Sequence, residues 1–499
     1  MLQSYCASSS LLKLISGRLS FFSNQERDRM FKEWKSDLKS SLVVFLVALP
    51  LCLGIALASN APMSAGLFAG IIGGIVVGSL SGSHVGVSGP AAGLTVIVLN
   101  GITTLGSFEI FAVAVFLAGV FQIVFGLIRA GMIGNYFPTA VIRGMLAAIG
   151  FILIIKQYPN ALGLVKGEGF HLNNGIVIVS IISIALMLFW DKMAYKGNKF
   201  FKLIPGALVA VACSIGLNAL YQSFFPALVI DPKFLVQLPF HGGLSEIFSM
   251  VKFPDFSHLM DKAVIQIALT IAIVASLETL LCVDAADKID PEKRVTSKDR
   301  ELLAQGVGNA LSGLVGGLPI TAVIVRTSAN ISSGNKTKLS AILHGVWLIT
   351  CVALIPFLLN LIPLACLACV LLLVGYKLCK PIHFLDMKKR GWDQLFIFCT
   401  TIIAILATDL LIGIFVGIVV AVLFEMNKLS LKPFTISHES EKSVLKFTQN
   451  VAFFHKPQIH KAIASVPTGK IVHIHGLKNV KVHIDVHELI AEHKNVEIK

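Results

Sequence analysis

Two short stretches carry the residues through which this chain could hold an ion. The first reads Val87-Ser88-Gly89-Pro90-Ala91-Ala92-Gly93-Leu94-Thr95, the second Gly316-Gly317-Leu318-Pro319-Ile320-Thr321-Ala322. Each places a Gly/Pro breaker before a short helix with small residues in its first turn. Helix starts expose unpaired N–H groups at the positive end of the macrodipole, and small side chains let a ligand approach them. Two such starts meeting at mid-membrane form an anion site with little need of a basic side chain. Arg326, two turns into the second short helix, either adds positive potential there or ties helices together. Glu278 lies inside Ala275-Ser276-Leu277-Glu278-Thr279-Leu280. An ionisable group in hydrocarbon costs at least ~2.5–3.5 kcal/mol and usually marks an ion pathway or a proton relay; otherwise it is an interhelical hydrogen-bond acceptor.

Other reactive types read as structural. Cys366 and Cys369 form a C-x-x-C in a wholly apolar helix with no second pair, and most cysteines sit in apolar runs as small buried hydrophobes. Arg143 and Asp409 fall near segment ends, where interfacial placement is expected. His473 and His475 share a strand face, and His483 and His487 are four apart; without a nearby cysteine these read as a solvated face, not a zinc site. No metal or cofactor is expected, and no paired His/Asp/Glu motif supports an enzyme.

The elements that must position these residues are membrane helices. The chain has 499 residues, of which 55% are hydrophobic and only 14% charged, and its mean hydropathy is +0.80. Soluble domains need about 25% charged residues to cover their surfaces, so a soluble enzyme, a fibrous protein and a disordered chain are excluded. The apolar blocks are continuous, which excludes a transmembrane barrel. The net charge of +14 reads as positive cytoplasmic loops, not nucleic-acid binding.

The expected organisation is a cytoplasmic arm over 1–40, a transmembrane domain over 41–428 and a small cytoplasmic α/β tail over 429–499. About fourteen apolar segments fit the membrane part. Two, near 89–101 and 320–332, are too short to cross as helices, and each is third in a set of seven. Seven is odd, so the second set enters from the opposite side. That makes an inverted repeat over about 41–221 and 263–425. Lys and Arg concentrate in alternate loops, placing both termini in the cytoplasm of a cell inner-membrane protein. In the tail, strands are expected at 444–448, 451–455, 470–475 and 495–498, with helices at 457–465 and 485–493.

The run from Asp37 through Leu99, with Leu49-Pro50-Leu51-Cys52-Leu53-Gly54-Ile55-Ala56 and Ser88-Gly89-Pro90-Ala91-Ala92-Gly93, resembles the sulfate permease (SulP) family of anion transporters. Gly316-Gly317-Leu318-Pro319 through Arg326-Thr327-Ser328-Ala329-Asn330 resembles that family's tenth span, and the tail resembles a shortened form of its cytoplasmic STAS domain. Within the family the chain is most similar to the bacterial bicarbonate-type branch. The resemblance implies an all-α polytopic fold of fourteen spans in a seven-plus-seven inverted repeat. A core (spans one to four and eight to eleven) and a gate (the rest) would work by alternating access. It implies an inorganic anion substrate, bicarbonate before sulfate, in a lipid-embedded homodimer. Some members of the branch are associated with carbonic anhydrases, though no such domain is present here. Carried over by position, the anion contacts fall near Leu49 to Leu53, Leu51 among them, at Gly89, Pro90, Ala91 and Ala92, and at Ile320, Thr321 and Ala322, with Arg326 nearby. The coupling-ion position falls at Glu278, with Thr279 and Cys282. Cys282 and Ile324 stand where sodium-coupled members have hydroxyl groups. Both remove an oxygen ligand, which leaves Na+ or H+ open as coupling ion. The competing class is a voltage-responsive motor or a scaffold signalling through the tail.

Overall fold

The computed structural model describes residues 24–430 except 133–137, 165–172, 198–200, 202–203 and 239–249. In the tail it describes 434–438, 442–447, 459, 462–463, 466, 471–475 and 496–498. The first repeat comprises α1 (Asn24–Ala58), α2 (Met63–Leu80), α3 (Ala92–Leu105), α4 (Phe108–Leu127), α5 (Thr139–Leu162), α6 (Asn174–Tyr195) and α7 (Gly206–Phe224). The second comprises α8 (Lys262–Ile289), α9 (Lys298–Leu314), α10 (Ile324–Ser332), α11 (Leu339–Leu354), α12 (Leu364–Leu378), α13 (Trp392–Ala407) and α14 (Leu410–Ser430). Each expected segment therefore has its helix.

Two differences lie at the start. The helix of the first span reaches back to Asn24, well into the stretch read as an arm, because Glu26 to Lys39 is rich in good helix formers. The second span carries a π-helical turn over Gly73–Val77, where α11 packs closely. A Cβ on Gly74 would meet the His344 ring at 2.7 Å.

The inverted repeat is visible in the packing. α1 lies along α11 as α8 lies along α4, and α2 meets α11 as α9 meets α4. The α4–α9 contact is backbone-close. A Cβ on Gly306 would meet the Ile123 nitrogen at 2.7 Å and the Gly119 oxygen at 2.8 Å. In lipid, small residues of this kind replace the hydrophobic effect as the means of holding helices together. α5 packs on α12 and α13, and α6 on α7 and α12.

The ends of α3 and α10 converge through two extended triplets, β1 (Ser88–Pro90) and β2 (Ile320–Ala322). These pair antiparallel with Gly89 opposite Thr321. In the tail, β3 (Phe434–His438), β4 (Lys442–Phe447), β5 (Ile471–His475) and β6 (Val496–Ile498) form one sheet in chain order. The first pair is antiparallel and the others parallel. The sheet starts earlier than expected, at Phe434, because Phe434 and Ile436 alternate with polar residues opposite Phe447 and Leu445. The expected strand at 451–455 and helix at 485–493 lie outside the described residues, as do His483 and His487.

α1 is locked to the loop before α11 by a buried carboxylate. Asp37 is fully buried. It accepts from the Lys336 nitrogen at 2.7 Å, the Thr337 nitrogen at 3.1 Å and the Thr337 hydroxyl at 2.5 Å. Ser36 and Ser40 donate to the Gly334 and Ser333 carbonyls. At the helix start Arg29 pairs with Glu292 and holds that carboxyl below its ordinary range. Removing Asp37 strands two backbone donors, a loss of about 2–4 kcal/mol. Asp37→Ala should therefore lower the detergent melting temperature clearly, whereas Arg29→Ala, at an exposed pair, should barely move it.

Candidate anion site at the crossing of the half-helices

The crossing of β1 and β2 is extended backbone inside a helical membrane domain, so its polar groups need partners from the protein. Buried amides and hydroxyls supply them. Asn309 takes the Ile320 nitrogen at 2.6 Å and returns a bond to the Ile320 carbonyl at 2.9 Å, while also donating to Gln122 at 2.7 Å. Gln122 continues to Ser276 on α8. The Ala322 nitrogen donates to the Thr279 hydroxyl at 3.2 Å, and the Val87 nitrogen to the Thr327 hydroxyl at 3.1 Å. Gln305 bridges the Ser88 hydroxyl and the buried Glu301 carboxylate. Asn309, Gln305, Gln122 and Ser276 thus belong to the site's frame. Sequence reading passed over them because single amides in apolar runs carry no spacing signal.

This geometry corrects where the first turns begin. Gly89 and Pro90 are strand, Ala91 is extended, and Ala92 opens a 3₁₀ turn that runs into α3. Ile320, Thr321 and Ala322 are strand too, and α10 begins only at Ile324. Arg326 is therefore in the first turn of α10, not two turns in. The misplacement came from letting helix start directly after Pro319. The cross-pairing with β1 holds the next residues extended instead.

Arg326 is the dominant group. It is fully buried, among the largest side chains to be so. Its Nη2 lies 3.3 Å from the Cys52 sulfur and 3.5 Å from the Pro90 carbonyl. Its Nε and Nη1 have no hydrogen-bond partner among the described residues. Gly89 admits the guanidinium, since a Cβ there would occupy the place of Nη1. An unsatisfied buried guanidinium is costly. Unpaired N–H groups on a buried cation match an oxyanion in charge. Leu51 is buried apolar wall, and its neighbour Cys52 touches the guanidinium instead. His344, fully buried on α11, donates from Nδ1 to the Ala341 carbonyl in the neutral ring, and its Nε2 is without a partner among the described residues.

Glu278 faces the other half-helix. A Cβ on Gly93 would meet its carboxylate oxygens at 2.6 and 2.7 Å, so the carboxylate rests against the opening turn of α3. Its Oε2 has no partner among the described residues. Thr279 is committed to the Ala322 nitrogen. Cys282 is buried beside Val283 and Ala322, and Ile324 is 38% exposed at the start of α10.

The remaining candidates are structural. Cys366 and Cys369 are buried free thiols, the latter 3.7 Å from the Ser180 carbonyl. Arg143 pairs with Asp386 at 3.7 Å, and Asp409 caps α14 through the Ile412 nitrogen at 2.9 Å. His473 is buried in the tail sheet beside Val472 and Ile474, not on the solvated face expected of it.

Removing the guanidinium deletes charged hydrogen bonds of about 1.5–3 kcal/mol. Arg326→Gln should weaken anion binding by roughly ten- to a hundredfold, read as the half-saturation for uptake by purified, reconstituted protein. Gly89→Ala, which displaces the same group, should reproduce the loss. Unchanged half-saturation in both variants would remove Arg326 from the site.

Comparison with known proteins bears on the family and the fold. Residues 34–403 match the model of the sulfate permease family. YvdB of Bacillus subtilis (strain 168), provisionally named a sulfate transporter, is 29% identical over 361 residues, covering 69% of this chain and 64% of YvdB. The bicarbonate transporter BicA of Picosynechococcus sp. is 28% identical over 335 residues, covering 63% of this chain and 55% of BicA. The chain thus spans less than two thirds of these curated relatives. Among solved structures, the transmembrane domain of a cyanobacterial BicA superposes with TM-score 0.66 at 24% identity, covering 79% of this chain and 98% of that one. SLC26A9 superposes with TM-score 0.79 at 15% identity, covering 99% and 88%. With a family match across most of its membrane domain and the fold of two solved members, this chain belongs to the sulfate permease family of membrane transporters.

Proposed function

We propose that this protein is a secondary-active transporter of a small inorganic oxyanion, bicarbonate before sulfate, working by alternating access in a cell inner membrane. The observation that carries the reading is the buried Arg326 guanidinium at the crossing of the half-helices, whose Nε and Nη1 have no partner among the described residues. Relatives named for bicarbonate and sulfate support the substrate class. On this reading both termini are cytoplasmic, and the tail is a STAS-like domain that contributes to a homodimer. A carbonic anhydrase would be a partner supplying bicarbonate, not a part of the chain.

The carboxylate of Glu278 supplies a reason for coupling. Ionised against the start of α3, it repels an arriving anion. A cation or proton that neutralises it leaves the anion facing only Arg326 and the positive helix ends. A proton needs no ligand shell. Sodium needs several oxygens, and Thr279, Cys282 and Ile324 offer a committed hydroxyl, a sulfur and a methyl group. Symport with H+ is therefore the favoured form.

Uptake of labelled bicarbonate and sulfate into proteoliposomes, with and without sodium and a pH gradient, tests the whole reading. No uptake of any anion would overturn it in favour of a motor or scaffold. Within a transporting protein, Glu278→Gln should keep anion counterflow but lose accumulation against a gradient. A variant that still concentrates substrate as the parent does, with the same sodium and pH dependence, would make Glu278 structural. Ala322→Leu, which fills the crossing, should abolish both activities while the protein still inserts.

A further inference from the structure

We propose that the open cleft between α3 and α8 on one side, and α5, α13 and the head of α14 on the other, is the vestibule through which the anion reaches the site. We infer that Lys156 is the cation that draws it in. This rests on the anion-transport reading. The cleft encloses about 580 Å³ at the membrane face where α1 and α5 end, the outer face on that reading. Its polar lining includes Asn100 of α3 and Gln266 and Thr270 of α8, with Lys156 and Asp409 opposite. At its deep end a void of about 10 Å³ continues between α3 and α5, bounded by Thr95 and Gln157. That is room for about one water. Thr95 donates to the Ala92 carbonyl at 2.7 Å, so the void ends at the opening turn of α3. Lys156 borders both spaces and so stands where the vestibule narrows toward the site.

The charges in the cleft are unequal in effect. Asp409 is bound to the first turn of α14 through the Ile412 nitrogen, at the positive end of that helix, which offsets part of its charge. Away from the cleft, Arg143 on α5 and Lys377 on α12 are paired with Asp386 and Asp191. Lys156 has no ion pair among the described residues. A lysine at a span end ordinarily snorkels to the headgroups. Lys156 instead lines an aqueous cleft with low-dielectric walls, where one cation raises the local anion concentration and the rate of arrival.

Uptake of labelled bicarbonate by the full chain in proteoliposomes tests this. Lys156→Gln should lower the rate at sub-saturating anion by about threefold or more, leave the maximal rate unchanged and flatten its dependence on ionic strength. Asp409→Asn keeps the helix cap and should change the rate in the opposite direction. Lys156→Cys should regain the parental rate on reaction with a cationic methanethiosulfonate and lose more with an anionic one, judged against the parent treated alike. A parent that transports no anion overturns the transport reading itself. A transporting parent whose Gln and Asn variants match it at low anion and low salt overturns the vestibule. So does a Cys variant that responds equally to both reagents.

Discussion

Everything at the centre of this molecule depends on the need to satisfy extended backbone in hydrocarbon. β1 and β2 interrupt two spans, and an unpaired peptide group there would cost several kcal/mol. The two triplets pair with each other, and the remainder is met by Asn309, Thr279 and Thr327. Each of these partners lies on a neighbouring core helix. The crossing is thereby tied rigidly to α8, α9 and α10, and through Gln305 to the buried Glu301. On the proposed alternating-access reading, a site held in this way would move with the core as one body.

The fold was legible because its strongest signals are physical requirements of the bilayer. Apolar runs of span length, two shortened runs at matching positions and odd-numbered halves leave the inverted repeat as the consistent topology. The packing of α1 on α11 and of α8 on α4 is its three-dimensional counterpart. The site was legible in composition but not in phase. The breakers at Pro90 and Pro319 marked the right places, yet cross-pairing delayed both helices by several residues. That delay moved Arg326 into a first turn. Cys52 fell within the stretch read as first-span contacts, but His344 was invisible as a site neighbour, because a histidine on a buried face looks like ordinary core until α11 is packed against α2. In the tail, the sheet began at Phe434, upstream of the expected first strand.

Two ionisable groups of opposite kind sit at the two half-helices, Arg326 within α10 and Glu278 against α3, and they are not paired with each other. Arg326 contacts Cys52 and Pro90, while Glu278 touches Gly93. Had they formed an ion pair, each would have satisfied the other, and the interior would have had no use for a mobile ion. Held apart, each has a deficit that a solute of opposite sign can fill. On the proposed function, an anion at Arg326 and a cation or proton at Glu278 would reduce the cost together more than either does alone, since each ligand would screen the charge that repels the other, which is the thermodynamic form of coupling.

The same separation bears on which co-ion suits the proposed mechanism. Filling the deficit at Glu278 with a metal cation requires further oxygen donors close by. The hydroxyl nearest in sequence, Thr279, is held by the Ala322 nitrogen and is part of what keeps β2 extended. With one lone pair already taken by the strand, it has one left to offer a cation. A proton makes no such demand: it binds the carboxylate directly and leaves the frame intact. On the proposed function, the hydrogen bonds that hold the crossing would therefore also favour a proton over sodium beside it.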